Sequence, residues 1–370
     1  MKFIREGLRF VQSMRKSNAR PPAHPPVGPH QVKGKMMISA SIQTQPKERK
    51  PSVTDLSIVI VSWNTKKYME ECLTSLQTID GDLSVEIIVV DNASSDGTPE
   101  MIRAQFPGVR LIESGGNLGF AGGNNIGLKE VSGKYICLIN SDVNVPPDCL
   151  PKMFRYMEQQ PTIGLLGPGM LRTDGRLHRS GMRLPNLWHA FLRALFLDSL
   201  FKGSEVFGGF LMRDFQFDET RDMDVLNGWF WMARREALNQ VGPLDDRFFM
   251  YAEDVDWCNR FHLAGWRVVF YPEAKALHYG GVSAKNAPSR FVLEMQRANL
   301  QFWKKYHGRT SVFFYVLIGC LGYAIRATGW GLLYLTKRSV RARARIEFKQ
   351  YLNCLRWALG FDTRNELGKQ

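Results

Sequence analysis

Polar residues follow three apolar, β-branched runs in the first half of this 370-residue chain. The runs at 56–62, 85–90 and 134–139 each have the length and composition of a buried strand. The polar residues at their ends are Ser62, Asn64, Asp91, Asn92, Asn140 and Asp142. Because ligands of an open α/β sheet bind at the carboxyl ends of its strands, these hydrogen-bonding and metal-binding groups predict a nucleotide site.

Strand and helix patterns alternate along the middle of the chain. Helices are predicted near 67–78, 98–105 and 121–131, with a short strand at 109–112. The later segments predict strands at 163–170, 225–234 and 267–272, a hairpin turn at Asp174-Gly175, and helices at 253–264 and 288–306. This order predicts an α/β fold with a mostly parallel, Rossmann-like sheet and helices on both faces.

A glycine-rich segment, Gly115–Gly127, contains Asn117, Asn124 and Asn125. It does not match the dinucleotide fingerprint, because no glycine-rich turn follows the first strand. Glycines allow a backbone to approach a ligand closely, and asparagines offer both donors and acceptors. A helix that begins near Ala121 would also present free N–H groups to a phosphate.

Three carboxylates, Glu253, Asp254 and Asp256, open the helix predicted at 253–264. Acidic residues in a first turn are favoured by the helix dipole, so a structural role is the ordinary interpretation. Crowding of carboxylates, however, raises their affinity for a proton, which suits a general base for a hydroxyl group. Arg260 is expected to pair with this cluster structurally.

Two tryptophans and one histidine complete the set of candidates. Trp229 and Trp231 lie in the strand predicted at 225–234. One face of that strand is expected in the core, while the other could form an apolar platform for a ring-shaped ligand. His278 follows a strand and precedes two glycines. A lone histidine is more often structural than a metal ligand, and both interpretations stay open at this point.

The net charge of +14 is concentrated at the two ends of the chain. Residues 1–50 hold 11 basic against 2 acidic residues, and residues 303–370 hold 13 against 3. Residues 51–302 therefore hold 25 against 30. Basic ends on an acidic centre argue against nucleic acid as a partner and favour an anionic membrane surface. The six scattered cysteines are expected to be buried free thiols of a reducing compartment.

The apolar segment 311–336 is long enough to cross a bilayer and contains one charged residue, Arg326. An arginine at mid-membrane costs about 2.5–3.5 kcal/mol on insertion scales, which weakens a span without forbidding it. Basic residues on both sides favour an interfacial or re-entrant segment with both ends cytoplasmic. A true span and a soluble helical tail are the alternatives. The predicted organisation is a basic, proline-rich, disordered leader at 1–50, a main domain at 51–307, and a membrane-associating helical tail at 308–370.

Five segments in their order resemble a known family. DNASSDGT, NLGFAGGNN, NSD, YAEDVDWCNR and HYGG together resemble family 2 glycosyltransferases of the GT-A fold, within the rhamnosyltransferase-like branch. The resemblance extends from Leu56 to about His307. It implies that Ser62, Asn64, Asp91, Asn92, Asn117, Asn124, Asn140 and Asp142 line the donor pocket.

The resemblance also implies roles for the remaining candidates. Asn140-Ser141-Asp142 occupies the position of the family's DXD metal motif, with asparagine in place of the first aspartate. Asp142 and His278 would then bind Mg²⁺ or Mn²⁺, and Asp254 would be the catalytic base. Glu253, together with Trp229 and Trp231, would line the acceptor or sugar pocket.

The function that follows is an inverting, metal-dependent, non-processive glycosyltransferase. The resemblance suggests dTDP-rhamnose as donor and a lipid-linked saccharide as acceptor, in cell-wall or surface-polysaccharide synthesis. The QxxRW sequence of processive synthases is absent. We expect the protein at the cytoplasmic face of the cell membrane, as a peripheral or monotopic protein.

Two other classes of protein stay open at this level. A sugar-phosphate nucleotidyltransferase would share the sheet but needs a glycine-rich phosphate loop after the first strand, where this chain has VSWNTKKY. A non-catalytic, membrane-bound nucleotide-sugar-binding scaffold would not need Asp142, Asp254 and His278.

Overall fold

The computed structural model describes residues 54–361, except 202, 214 and 281–287. The leader predicted at 1–50 lies outside the described residues. The described residues belong to one compact unit, and the boundary near residue 307 stays a prediction. All six cysteines are free thiols and five of them are buried, as the sequence predicts.

The N-terminal half of the sheet consists of four parallel strands. Their bounds are Leu56–Ser62 (β1), Val85–Asp91 (β2), Arg110–Glu113 (β3) and Tyr135–Asn140 (β4). The strand order is β3-β2-β1-β4, and every pair in it is parallel. The register places Ser62 beside Asp91 and Val61 beside Asn140. The polar residues at the strand ends therefore meet at one edge, as predicted.

Helices connect these strands in the predicted order. Their bounds are Lys66–Leu76 (α1), Thr98–Gln105 (α2) and Gly119–Leu128 (α3). Alternate residues of β1 enter different cores: Leu56, Ile58 and Ile60 belong to one apolar cluster, and Val59 belongs to the other. The sheet is thus covered on both faces, which confirms the predicted α/β fold.

The second half of the sheet is mixed. It comprises Val143–Asn144 (β5), Ile163–Leu171 (β6), Leu177–His178 (β7), Arg221–Asp222 (β9), Phe230–Arg234 (β11) and Arg267–His278 (β12). Two further strands, Gly181–Met182 (β8) and Val225–Leu226 (β10), pair with each other in a separate two-stranded antiparallel sheet. The main order continues as β4-β11-β6-β12-β5, and β11 is antiparallel to both of its neighbours. β12 pairs with β5 through His278 and Val143. This pairing places His278 next to the loop that contains Asp142.

The single strand predicted at 225–234 is in fact two strands. Residues 227–229 connect β10, in the two-stranded sheet, to β11, in the main sheet. They form a tight turn in which the Trp229 amide donates to the Asn227 carbonyl at 2.9 Å. The Asn227 amide meanwhile donates to the Ser180 carbonyl at 2.8 Å. Strand β12 is also longer than predicted and continues past an irregularity between Tyr271 and Lys275. The hairpin predicted at Asp174-Gly175 is present between β6 and β7.

The remaining helices lie on the two faces and at the C-terminal end. They are Cys149–Gln159 (α4), Leu187–Ala194 (α5), Leu197–Leu200 (α6), Glu205–Gly208 (α7), Arg235–Val241 (α8), Glu253–Leu263 (α9), Pro288–Tyr306 (α10), Arg309–Thr336 (α11) and Arg341–Ala358 (α12). Among the described residues, α11 is the one helix with the length and apolar composition to cross a bilayer.

Arg326, in the middle of α11, is bound to the main domain. Its guanidinium donates to the carbonyl oxygens of Arg193, at 2.7 Å, and Ala194, at 3.1 Å. These carbonyls end α5, where the helix dipole favours a positive charge. The guanidinium also lies 4.1 Å from the centre of the Phe196 ring. The arginine therefore attaches α11 to α5 and is not a lone charge in an apolar segment.

Candidate active site

Buried hydroxyl groups connect the ends of β1 and β4. Ser62 Oγ and Thr65 Oγ1 share a hydrogen bond of 3.1 Å, and Thr65 donates to Ser141 Oγ at 3.0 Å. All three residues are buried. Ser62 therefore supports the NSD segment through Thr65, a residue that the sequence analysis did not select.

Asn64 ties two loops together. It adopts a positive φ of 53°, and its Oδ1 accepts a hydrogen bond from the Ser95 amide at 2.8 Å. Its backbone N–H donates to Ser94 Oγ at 2.9 Å. The predicted donor-binding residue thus holds the β1–α1 loop against the β2–α2 loop, and it shapes the pocket edge through these contacts.

Asp91 and Asn92 carry unpaired buried oxygens. Asp91 Oδ2 accepts from the Ser94 amide at 2.8 Å, and Asn92 Nδ2 donates to the Gly119 carbonyl at 2.9 Å. The other oxygens, Asp91 Oδ1 and Asn92 Oδ1, have no hydrogen-bond partner in the described part of the chain. An unsatisfied buried acceptor costs about 1–3 kcal/mol. Donor groups of a bound nucleotide would remove this cost.

The start of the glycine-rich segment is closely packed against Phe249. Gly119 has a positive φ of 74°, and a Cβ there would overlap the Phe249 carbonyl oxygen. The amides of Gly119 and Phe120 are already bound, to Asn117 Oδ1 at 3.0 Å and to the Phe249 carbonyl at 2.9 Å. The helix thus begins two residues before the predicted start at Ala121, and the protein itself binds the N–H groups of these two residues.

Two of the three asparagines of this segment are bound within the protein, and one is exposed. Asn124 is buried and donates to the Phe120 carbonyl of its own helix at 2.9 Å. Asn125 exchanges two hydrogen bonds with the Leu244 backbone. Asn117 is exposed and is the better candidate for contact with a donor.

Asp142 and His278 meet at the end of β4. Asp142 Oδ1 lies 3.1 Å from His278 Nε2, and both side chains are largely buried. The Tyr279 amide donates to the Asp142 carbonyl at 3.1 Å. The ring of Trp229 stacks on His278 at 5.4 Å with an interplanar angle of 17°. Residues 136 positions apart in sequence thus form one compact polar pair.

This pair fits a divalent cation as part of a larger ligand set. A carboxylate oxygen and an imidazole nitrogen are both donors that first-row divalent ions accept. In the residues that the structure describes, no group of three or more His, Cys, Asp or Glu side chains is placed to hold an ion. The protein would supply two ligands, so the oxygens of a bound diphosphate would have to supply others.

Asp254 and Glu253 lie at the start of α9 after two strained residues. Tyr251 and Ala252 have positive φ values of 71° and 61°, and such outliers are held in place where they orient functional groups. Asp254 accepts from the Val255 amide at 2.8 Å. Burial raises the pKa of Asp254 to about 6, while backbone N–H groups of Val255 and Gly228 limit the rise.

Glu253 holds its proton more tightly. Its pKa is raised well above the usual value, first by burial and then by the charge of Asp254. Its Oε2 is buried without a hydrogen-bond partner among the described residues. Of the two adjacent carboxyls, Asp254 therefore ionises first and is the one available as a base near neutral pH.

Asp256 belongs to the scaffold. It is fully buried and accepts from Arg260 Nε at 2.9 Å, Lys305 Nζ at 2.5 Å and the Tyr306 hydroxyl at 2.7 Å. The expected pairing of Arg260 with the cluster is confirmed. Of the three carboxylates, Asp256 is thus a structural anchor, and Glu253 and Asp254 are the candidate site residues.

The tryptophans do not form an open platform. Trp231 is fully buried, because β11 is a central strand that is covered on both faces, and its Nε1 donates to the Leu226 carbonyl at 3.3 Å. Trp229 precedes β11 and is only 3% exposed. The prediction of an open sugar platform is therefore wrong. The Trp231 ring packs against Gly228, and the Trp229 ring packs against His278.

Known proteins define the class to which this fold and site belong. The family model of glycosyl transferase family 2 matches residues 57–242. The chain belongs to this family and is an enzyme. This membership removes the nucleotidyltransferase and scaffold alternatives.

Individual relatives narrow the class to rhamnosyltransferase-like enzymes. The N-acetylglucosaminyl-diphospho-decaprenol L-rhamnosyltransferase of Mycobacterium tuberculosis is 28% identical over 263 residues, which are 68% of this chain and 85% of that protein. Rhamnosyltransferase WbbL of Escherichia coli is 28% identical over 230 residues, 60% of this chain and 82% of that protein. The mannosyltransferase PcManGT of Pyrobaculum calidifontis, solved with GDP-Man and Mn²⁺, aligns with a TM-score of 0.48 at 18% identity, covering 85% of this chain and 89% of that chain.

Proposed function

We propose that the enzyme transfers a sugar, with inversion, from a nucleoside-diphosphate sugar to a hydroxyl group of a lipid-linked saccharide. One observation carries this proposal: residues 227–229 join the two halves of the site. Gly228 lies directly against Asp254, where a Cβ on the glycine would be 3.6 Å from the Asp254 Cβ, and its backbone N–H lowers the pKa of that carboxyl. The next residue, Trp229, stacks on His278. A candidate base and a candidate metal-binding pair are therefore held by neighbouring residues of one turn.

The donor would bind at the ends of β1, β2 and β4. The unpaired oxygens of Asp91 and Asn92 would accept from the base or the ribose. Ser62 and Asn64 would fix the surrounding loops, while Asn117 and Asn140 would contact the donor from the rim. Mg²⁺ or Mn²⁺ bound by Asp142 and His278 would neutralise the charge that develops on the diphosphate.

Asp254 would act as general base. With a pKa of about 6, it is ionised at neutral pH and still has enough basicity to accept the acceptor's hydroxyl proton. The acceptor oxygen would attack the anomeric carbon from the face opposite the diphosphate. The bond from that carbon to the diphosphate oxygen would break, and its electron pair would leave with the nucleoside diphosphate. One displacement of this kind inverts the anomeric configuration.

The substrates are proposed from relatives. The two proteins of Mycobacterium tuberculosis and Escherichia coli named above are rhamnosyltransferases by name, and the name of the first includes N-acetylglucosaminyl-diphospho-decaprenol. We propose dTDP-rhamnose as donor and a polyprenyl-diphosphate saccharide as acceptor. A non-processive transfer is consistent with the absence of the QxxRW sequence.

The membrane surface is proposed as the place of action, on the cytoplasmic side. Helix α11 lies against α5 through Arg326, which supports an interfacial position over a span that leaves the domain. Its outer side is apolar and exposed. The exposed residues are Phe313, Phe314, Leu317, Leu321, Ile325, Leu332 and Leu335.

The test is a transfer assay with the full chain in anionic lipid. Nucleotide sugars are offered in parallel, with a short-chain prenyl-diphosphate N-acetylglucosamine as acceptor, and products are analysed by mass spectrometry and NMR. We expect transfer from dTDP-rhamnose and a product of inverted anomeric configuration. Retained configuration, or transfer from none of the nucleotide sugars, would contradict the proposal.

A further inference from the structure

A cavity with cationic walls lies beside the candidate active site. Its volume is about 460 Å³, and its lining includes Arg172, His178, Arg179, Asn227 and His278. The two arginines lie on either side of the β6–β7 hairpin turn. His278 lines the cavity and also belongs to the Asp142–His278 pair. No carboxylate lines the cavity among the residues that the structure describes.

The arginines of this cavity lack ionic partners. Neither Arg172 nor Arg179 forms an ion pair with a described residue, and Arg179 makes one long hydrogen bond, 3.3 Å, to the Leu211 carbonyl. The acid Asp198 lies instead 4.0 Å from Arg213. Burial and the nearby charges of Arg213, Arg193 and Arg172 lower the pKa of Arg179. Like charges that converge without acids create a site of positive potential.

A second observation points to a polar ligand. The Asn227 side-chain oxygen is buried without a partner among the described residues, and Asn227 is one of the residues that line the cavity. Asn227 directly precedes Gly228, which lies against Asp254. A ligand in this cavity would therefore lie next to the candidate base.

We infer that this cavity binds the diphosphate group of the lipid-linked acceptor, with Arg172 and Arg179 as its main contacts. The inference rests on the proposed function. Paired guanidinium groups are well suited to phosphate oxygens. The donor diphosphate would be neutralised at Asp142 and His278 by a cation, whereas an acceptor diphosphate needs fixed positive charges.

The location agrees with a lipid-linked substrate. The arginine cluster continues from the cavity to Arg193 on α5, and α5 packs against α11 through Arg326. The acceptor sugar would lie at Asp254, its diphosphate at the arginines, and its lipid on the side of α11. This order matches the order of the groups in a prenyl-diphosphate saccharide.

The test uses Arg172→Gln and Arg179→Gln, with Arg176→Gln as the matched control. Arg176 is an exposed arginine of the same hairpin that does not line the cavity. Initial rates are measured with a short-chain prenyl-diphosphate N-acetylglucosamine and with a phosphate-free alkyl N-acetylglucosaminide. Loss of one charge-assisted contact should raise KM for the diphosphate acceptor by about tenfold or more. KM for the phosphate-free acceptor and for the donor should not change, and Arg172→Lys should recover part of the loss.

A binding measurement separates this inference from the proposed function. Titration calorimetry with the short-chain prenyl diphosphate alone should show weaker binding by both cavity variants and normal binding by Arg176→Gln. Arginine-dependent binding without any sugar transfer would contradict the proposed function and support the cavity assignment. The cavity assignment would be overturned if the cavity variants bound and turned over the diphosphate acceptor like wild type. An increase confined to KM for the donor would overturn it as well.

Discussion

At the residue scale, two carboxyls adjacent in sequence differ in proton affinity. Glu253 is buried without a partner for Oε2 among the described residues, whereas Asp254 is half-buried and accepts from the backbone of Val255 and Gly228. Each hydrogen bond to a carboxylate favours its ionised form. Of these two carboxyls, Asp254 therefore loses its proton at the lower pH, and it is the residue that is proposed to accept the proton.

This difference predicts the pH dependence of transfer. The base must be ionised, and a pKa of about 6 means that the ionised fraction of Asp254 rises as pH increases through that value. Below it, kcat/KM should fall about tenfold per pH unit, with a plateau above. The measurement is kcat/KM for the acceptor from about pH 5 to about pH 8. Glu253→Gln should keep the same acid limb, and a flat profile would contradict the assignment.

The pair of Asp142 and His278 predicts a dependence on divalent metal. Excess chelator should stop transfer, because two protein ligands alone leave the ion dependent on the diphosphate for its other contacts. Asp142→Ala should weaken Mn²⁺-dependent nucleotide binding about tenfold, measured by titration calorimetry with and without the ion. Asp148→Ala, which removes an exposed acid of the same region, is the control. Full activity in chelator would show that Asp142 has another role.

At the scale of elements, α9 is fixed to α10 by one buried carboxylate. Asp256 accepts hydrogen bonds from Lys305 and Tyr306 of α10 as well as from Arg260 of its own helix. Asp254 lies one half-turn earlier on α9, so the position of the proposed base depends on this anchor. Removing one partner of a buried charged network leaves the others uncompensated.

Asp256→Asn should therefore lower the free energy of unfolding by about 2–4 kcal/mol. Denaturant unfolding followed by circular dichroism measures this change. Asp246→Asn, at an exposed position of the preceding loop, should stay within about 0.5 kcal/mol of wild type. A similarly small effect for Asp256→Asn would show that α9 is held in place by apolar packing alone.

Elements with a strong local pattern are predictable from sequence. Strands β1, β2 and β4 have continuous apolar runs, and their polar ends meet at one edge because parallel strands share a direction. The break at 227–229 is not predictable in this way, because it depends on a hydrogen bond to Ser180, a residue distant in sequence. Local periodicity holds no information about such a contact.

Roles within the candidate site were less predictable than its location. Local composition does not distinguish Asp254 from Asp256. The family resemblance selects Asp254 as the base, and the approach of α10 makes Asp256 an anchor. Trp231 and the Gly119 segment were assigned to ligand binding, although neighbouring elements use them for packing. Arg172 and Arg179 flank the predicted hairpin turn, and that pairing is the signal by which the cationic cavity could have been found.

At the scale of the whole molecule, the apolar face of α11 and the basic residues of α12 lie on two consecutive helices that pack against each other. Arg341, Arg343 and Arg345 are exposed. An anionic leaflet attracts each such residue by about 1 kcal/mol. These charges and the exposed apolar side chains of α11 would act together on one membrane surface.

Binding to anionic vesicles should therefore depend on these arginines. Replacing all three by glutamine should weaken the binding of the full chain to phosphatidylglycerol vesicles about tenfold or more in a sedimentation assay. High salt should weaken wild-type binding as well. Arg155→Gln, at an exposed position of α4, is the control. If the full chain does not bind anionic vesicles, α11 and α12 only pack on the main domain.

The central claim is that Asp254 is the base of a single displacement at a site formed by distant segments of the chain. The most direct measurement compares turnover and nucleotide affinity of Asp254→Asn with those of wild type. Asparagine keeps the shape and can still accept from Val255 and Gly228, so the fold and the donor affinity should change little. Turnover should fall by about a hundredfold to ten-thousandfold, the usual contribution of a general base. A folded Asp254→Asn enzyme that retains more than about a tenth of wild-type turnover would contradict the claim.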